Sequence, residues 1–207
     1  MDCKLSILIP SLVSRIQSRE FLLKSLQRQI KIESTLHYIH PSYETVVFLG
    51  ESAEVIVITD RKAHSTGEKR NMLLDLASGE YVCFIDDDDF VDENYIELIL
   101  NAIKKGSDTI GISGIITTNG DNKVDWELSK NFQNRTVKRG GKIFYERKTN
   151  HLSPVKRELA MKAKFPDKSN AEDKAYSDAL NQFLKTETKI EKPIYHYRYS
   201  TKNKEYV

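Results

Sequence analysis

Tyr81-Val82-Cys83-Phe84-Ile85-Asp86-Asp87-Asp88-Asp89 is the stretch on which the fold turns. Its first five residues are apolar throughout, as in a short strand buried on both faces. Its last four are carboxylates, which repel one another and do nothing for folding. Ligands of open α/β sheets bind beyond the carboxyl ends of strands. Hard divalent cations prefer carboxylate oxygens and often share themselves with substrate phosphates. The plain alternative is a solvated turn after a strand.

Similar runs lie on either side. Residues 5–10 (Leu-Ser-Ile-Leu-Ile-Pro) and 54–60 (Glu-Val-Ile-Val-Ile-Thr-Asp) read as two more buried strands, the second ending in Asp60. Residues 19–32 place Phe21, Leu22, Leu26 and Ile30 at helical spacing. Residues 68–77 do the same with Met72, Leu73 and Leu76 before Ser78-Gly79 stops them. Asp92 is the expected N-cap of a helix to Lys104 with Tyr95, Ile96, Ile99, Leu100 and Ile103 on one face. Strands alternating with such helices predict an α/β fold: a Rossmann-like, mostly parallel, doubly wound sheet with helices on both faces.

Other segments are less regular. Val46 to Leu49 suits an edge strand or a turn of helix, and Gly111 and Gly114 divide residues 109–118 into one or two strands. Turns are expected at 119–122 and 140–141, and helices over 155–164 and 171–185. The second helix would turn Ala175, Ala179, Leu180 and Phe183 inward, and a last strand spans 194–199. The expectation is one domain over residues 1–207, with a ligand-binding half to 118 and an acceptor half from 119.

The chain is 39% hydrophobic and 30% charged with a formal net charge of +2, an ordinary composition for a soluble globular protein that singles out no polyanionic partner. Between 135 and 168 lie Arg135, Lys138, Arg139, Lys142, Arg147, Lys148, Lys156, Arg157, Lys162, Lys164 and Lys168, opposed only by Glu146, Glu158 and Asp167. Such a run is a solvated face or a surface for an anionic acceptor or membrane headgroups. Cys3 and Cys83 make no disulfide framework. No segment approaches the ~20 apolar residues of a membrane span. The expected location is cytoplasmic, with any membrane contact peripheral.

Three carboxylate positions carry the chemistry: Asp60, the cluster Asp86 to Asp89, and Glu172-Asp173 opening a late helix. The first two would converge along one crevice, a geometry that suits a nucleotide. Asp60 would accept from a base or ribose, and the cluster would hold a metal on a diphosphate. Pro10 and Ser11 would offer backbone groups at the same rim. Lys69, Arg70 and Asn71 would close over phosphate or base. Glu172 and Asp173 could simply stabilise a first helical turn.

The series "SILIPSL", "VIVITD", "STGEKRNMLLDLASGEYVCFIDDDDFV", "NHLSPVKRELAMKAKFPD" and "AEDKAYSDAL" resembles the family 2 glycosyltransferases of GT-A fold, from about Lys4 to Leu180. The resemblance implies inverting transfer of a sugar from a nucleotide diphosphate donor, UDP in the first instance, assisted by Mn²⁺ or Mg²⁺. Position by position, the family's "DxDD" falls on Asp86, Asp88 and Asp89, with Asp87 as a spacer on the donor side. Asp86 would face the ribose and share the metal with Asp88, the chief ligand. The base-contacting aspartate matches Asp60, and the "RN" pair matches Arg70-Asn71 beside Lys69. The "ED" that supplies the catalytic base matches Glu172-Asp173, with Asp173 favoured. The late histidine of related enzymes that completes the metal site matches His196. The family's aromatic after "ED" matches Tyr176 only loosely, and Trp126 suits either an acceptor sugar or the core. One departure is Arg61-Lys62-Ala63-His64 after Asp60, where the family usually has an aspartate and a serine-rich loop.

Inversion itself requires a base on the face opposite the leaving diphosphate, hence a third carboxylate apart from the metal. Expected partners are the nucleotide-sugar donor and a glycan or lipid-linked acceptor, with nucleic acid the least expected. Two alternatives compete. A haloacid-dehalogenase-type phosphatase would want its aspartates after the first strand, with a threonine where Phe90 stands. A non-catalytic nucleotide-sugar or metal-binding module would bind without turnover.

Overall fold

The computed structural model describes residues 3–200. In chain order come β1 (Leu5–Leu12), α1 (Ile16–Ile30), β2 (Ser34–His40), β3 (Tyr43–Leu49), β4 (Ala53–Asp60), α2 (Thr66–Leu76), β5 (Tyr81–Phe84), β6 (Phe90–Val91) and α3 (Tyr95–Ile103). The second half adds β7 (Thr109–Thr118), β8 (Asp121–Leu128), β9 (Arg135–Arg139), β10 (Lys142–Arg147), β11 (Val155–Lys156), α4 (Arg157–Ala163), α5 (Glu172–Leu180), β12 (Glu187–Lys189) and β13 (Tyr195–Tyr199).

The strands join in the order β2-β3-β4-β1-β5-β11-β7-β8-β10-β9, with β12 and β13 beside β7 and β6 beside β13. At the centre β1 runs parallel to both β4 and β5. These are the three continuous apolar runs, and each is covered on both faces, as the α/β reading requires. Leu5, Ile7 and Ile9 of β1 pack with Leu22 and Leu26 of α1 and Ile96 and Ile99 of α3. Leu8, pointing the other way, packs with Leu73 and Leu74 of α2, Leu159 of α4 and Tyr176 of α5. The flanks are antiparallel hairpins, β2–β3 at one edge and β9–β10 at the other.

Several local expectations change. Val46 to Leu49 belongs to β3, paired along its length with β2, and Pro41-Ser42 makes the connection between them. Proline presets the φ that such a turn needs. Residues 109–118 form one strand, not two. A Cβ on Gly114 would stand 2.0 Å from the Tyr195 carbonyl oxygen, so the glycine admits β13 to the ladder rather than interrupting it. In α2, Leu73 and Leu74 face inward while Leu76 is half exposed. In α5, Tyr176 is buried where Phe183 was expected, and the helix ends at Leu180. Helix α3 starts at Tyr95, and Asp92 turns its carboxylate to the Asn94 N–H instead of capping the helix.

Candidate active site

The chain segments after β1, β4 and β5 meet at one rim, where the four aspartates divide into two kinds. The Asp89 N–H donates to the Asp86 carbonyl at 3.1 Å, closing a turn that splays their side chains. Asp87 is buried; its Oδ2 accepts from Ser11 Oγ at 2.7 Å and from the Leu12 N–H, while Oδ1 accepts from Arg15 Nη1 at 2.9 Å. It is an anchor to β1 and not the spacer that the motif implied. Asp89, also buried, accepts from Tyr195 Oη and the Arg198 N–H, both at 2.7 Å. Asp86 and Asp88 are left, each with about a quarter of its side chain open.

Their ionisation follows these partners. Burial raises the Asp86 carboxyl, but His151 and the Arg70 guanidinium outweigh it and hold the group below the usual range. Asp88 is raised by burial and by the charges of Asp86 and Asp87, with Arg15 opposing. Asp89 is pushed well up, first by burial and then by Asp86. The turn thus holds Asp86 ionised beside two carboxyls, Asp88 and Asp89, on which charge is disfavoured.

Asp60 stands differently from its expected role. Its side chain has no exposed surface; Lys69 Nζ at 2.7 Å and the Lys62 N–H take Oδ1, and the His64 N–H at 2.8 Å takes Oδ2. Lys69 Nζ also donates to the Ser11 carbonyl at 2.9 Å. The pair therefore ties β4 to β1 and shapes the 61–64 loop, leaving no Asp60 oxygen open to a base. Pro10 and Ser11 are buried at the same rim, with Ser11 Oγ donated to Asp87. Asn71 also faces inward: its Nδ2 donates to the Phe165 carbonyl and its Oδ1 accepts the Phe165 N–H, clamping the chain between α4 and α5.

Arg70 spans the site. Nη2 donates to Asp86 Oδ1 at 2.9 Å and Nη1 to Glu172 Oε1 at 2.7 Å. Glu172 is buried by this contact, whereas Asp173 beside it is only half-buried and accepts from the Lys174 N–H. Asp86, Arg70, Glu172 and Asp173 all line one cleft of about 630 Å³. Trp126, Tyr145, Tyr197, Arg147 and Lys148 line it as well.

Among the described residues no group of three or more His, Cys, Asp or Glu side chains converges on a metal position. A Mg²⁺- or Mn²⁺-type ion commonly takes one or two carboxylates and fills its shell with phosphate oxygens and water. Asp86, facing the cleft, and Asp88, facing a neighbouring hollow with Asn119 and Arg198, are the two part-open carboxylates of the turn. His196, expected as a third ligand, is not brought to them. Its Nε2 is hydrogen-bonded to Thr117 Oγ1 at 3.0 Å and its ring lies edge-on to Phe90. Burial, with Arg198 and Lys123 nearby, lowers its pKa and favours the neutral ring.

Two further residues matter that the motifs did not single out. Arg15 reaches both Asp87 and Asp88, and nothing in the strand patterns marks it. His151 is buried with Nε2 3.7 Å from Asp86 Oδ2, within ion-pair reach but outside hydrogen-bond distance, and neither ring nitrogen has a hydrogen-bond partner. Its signal was its place within "NHLSPVKREL".

Comparison with known proteins adds an independent line. The chain is 26% identical over 141 residues to "Putative glycosyltransferase EpsH" of Bacillus subtilis (strain 168), covering 64% of this chain and 41% of that protein. The chain thus spans less than half the length of this curated relative. Among solved structures, S. aureus TarS 1-349 in complex with UDP-GlcNAc aligns over 94% of this chain and 58% of its own, at 17% identity and a TM-score of 0.64. The same fragment with UDP gives the same TM-score and identity. At that identity the likeness shows the fold, GT-A. Residues 39–163 match the family described as Glycosyl transferase family 2, a segment holding Asp60, Lys69 to Asn71, Asp86 to Asp89 and His151. With more than half of the chain matched, and with its strand-end aspartates set on the fold of that family, the chain belongs to glycosyl transferase family 2.

Proposed function

We propose that the protein is an inverting glycosyltransferase that moves a sugar from a UDP-sugar to a hydroxyl of a glycan or lipid-linked acceptor. One observation carries this reading: Glu172 is locked on Arg70, so Asp173 is the carboxylate of the pair left open to the cleft that Asp86 also lines. A base there can take the acceptor proton as the new glycosidic bond forms, on the side away from the diphosphate. UDP and UDP-GlcNAc in the TarS complexes support a uridine donor.

Asp86 and Asp88 would hold Mn²⁺ or Mg²⁺ together with diphosphate oxygens. Such an ion, when bound, offsets charge gathering on the leaving UDP. Arg15, just before α1, stands beside Asp88 and Asp87 and braces the turn. Tyr145 and Tyr197, both partly open, would supply faces for an acceptor sugar ring, while Trp126 is buried in the core. No helix among the described residues is long and apolar enough to cross a membrane. In the proposed cytoplasmic setting, peripheral membrane contact would fall to Lys138, Lys142, Lys162 and Lys168, because much of the remaining basic run is paired with carboxylates.

The test is Asp173→Asn. We expect UDP binding in Mn²⁺ to stay within about twofold while transfer falls by about 10²–10⁴-fold, the usual contribution of a general base. Transfer at the wild-type rate would remove Asp173 from the role. Donor binding without turnover in the wild type would favour a non-catalytic module.

A further inference from the structure

Arg70 is 3% exposed, yet it touches both functional ends of the cleft. Its guanidinium lies over the rings of Phe84 and Phe165, 5.8 and 5.3 Å from their centroids, and the two rings themselves meet edge-on with centroids 5.2 Å apart. Phe84 ends β5, the strand that delivers Asp86. Phe165 stacks face to face on Tyr176 of α5, with centroids 4.0 Å apart and planes 9° apart, and Asn71 holds the Phe165 backbone through both amide atoms. Each contact on the β5 side therefore has a counterpart on the α5 side. Among the described residues the guanidinium is the single group hydrogen-bonded to both carboxylates.

We propose that Arg70 is a positioning residue that couples the donor carboxylate Asp86 to the first turn of α5, so that filling the donor end sets Asp173 for catalysis. This rests on the glycosyltransferase reading above. Two opposed carboxylates share one delocalised cation; charge supplied to Asp86 from outside leaves more of Arg70's attraction to Glu172. A planar fork can serve both partners at once, whereas lysine is a point charge that serves one at a time. Glu172 is accordingly the handle by which α5 is held and has no proton-transfer role.

The test uses Arg70→Lys, Glu172→Gln and the double variant. In the ligand-free proteins, hydrogen exchange over residues 171–176 should be at least about tenfold faster in Arg70→Lys than in wild type, as local opening costs less when a buried tie is cut. Adding UDP and Mn²⁺ should slow exchange there in wild type and leave Arg70→Lys unchanged. For transfer, each single variant should lower kcat by about 10–100-fold, and the double variant should be no worse than Arg70→Lys alone, the mark of one shared interaction. Multiplicative losses in the double variant, or unchanged exchange in ligand-free Arg70→Lys, would overturn the coupling. The ligand-free arm judges Arg70 even if the wild type binds no UDP, an outcome that would sink the donor assignment instead.

Discussion

At the scale of single residues, the site is a set of charges already spoken for, and the substitutions that matter separate struts from open groups. Lys69 and Asp60 are both almost wholly buried and bonded at 2.7 Å. Removing one partner of such a pair strands the other charge and typically costs about 3–5 kcal/mol. Lys69→Met should therefore lose about that much in urea unfolding, and Lys69→Met with Asp60→Asn should regain part of it. Asp88→Asn should behave in the opposite way. The group is partly open and crowded by Asp86 and Asp87, so stability should hold within about 0.5 kcal/mol, as for most substitutions outside the core. Calorimetry should show Mn²⁺-dependent UDP binding weakened at least about tenfold, since one of the two proposed cation ligands is gone. The sequence made the four aspartates conspicuous but could not rank them. Adjacent residues in a turn point in different directions, and the partners that claim Asp87 and Asp89 lie 72 to 109 positions away.

At the scale of elements, the legible parts were those with one unambiguous pattern. β1, β4 and β5 are apolar at nearly every position because both their faces are covered, and all three were found within about two residues, the ordinary uncertainty of element ends. The β2–β3 hairpin was not legible. All seven β2 residues are exposed, so no buried face imposes a period of two on them. The basic run 135–168 does lie at the surface, but the sequence could not show that Arg139 is tied to Glu127 on β8 and Glu146 on β10, whose own side chains are buried. Arg139→Glu would set three carboxylates together and should lower the midpoint of thermal melts. Lys142→Glu, on an exposed residue of the same hairpin, should change stability by no more than about 0.5 kcal/mol. Lys142 is accordingly the better probe of an anionic acceptor. Gly114→Ala belongs here too. Its Cβ would collide with the Tyr195 carbonyl, prise β13 from β7 and disturb the Tyr195 hold on Asp89, for a loss of about 1–3 kcal/mol.

At the scale of the whole molecule, α5 brings the Glu172-Asp173 pair to the cleft from a part of the chain far beyond the aspartate turn, outside the segment that matches the family. Ligand binding should therefore be felt across the fold. A ligand at 100 times its Kd adds about 2.7 kcal/mol to the folded state. For a chain of this size that corresponds to a Tm rise of about 5–11 °C. Saturating UDP with Mn²⁺ should give a rise of that order in differential scanning fluorimetry, and EDTA should abolish it. A rise that survives EDTA would mean that UDP is held without the cation.

Trp126 gives this protein a built-in optical reporter. It is the only tryptophan in the chain, lines the cleft, and meets Tyr195 edge-on at 5.8 Å, the tyrosine that holds Asp89. Its emission comes from one known place, with no label to attach and no second indole to subtract. A molecule entering the cleft should change the intensity or wavelength of that emission, and titrations of candidate acceptors can be followed by eye of the spectrometer before any transfer assay exists.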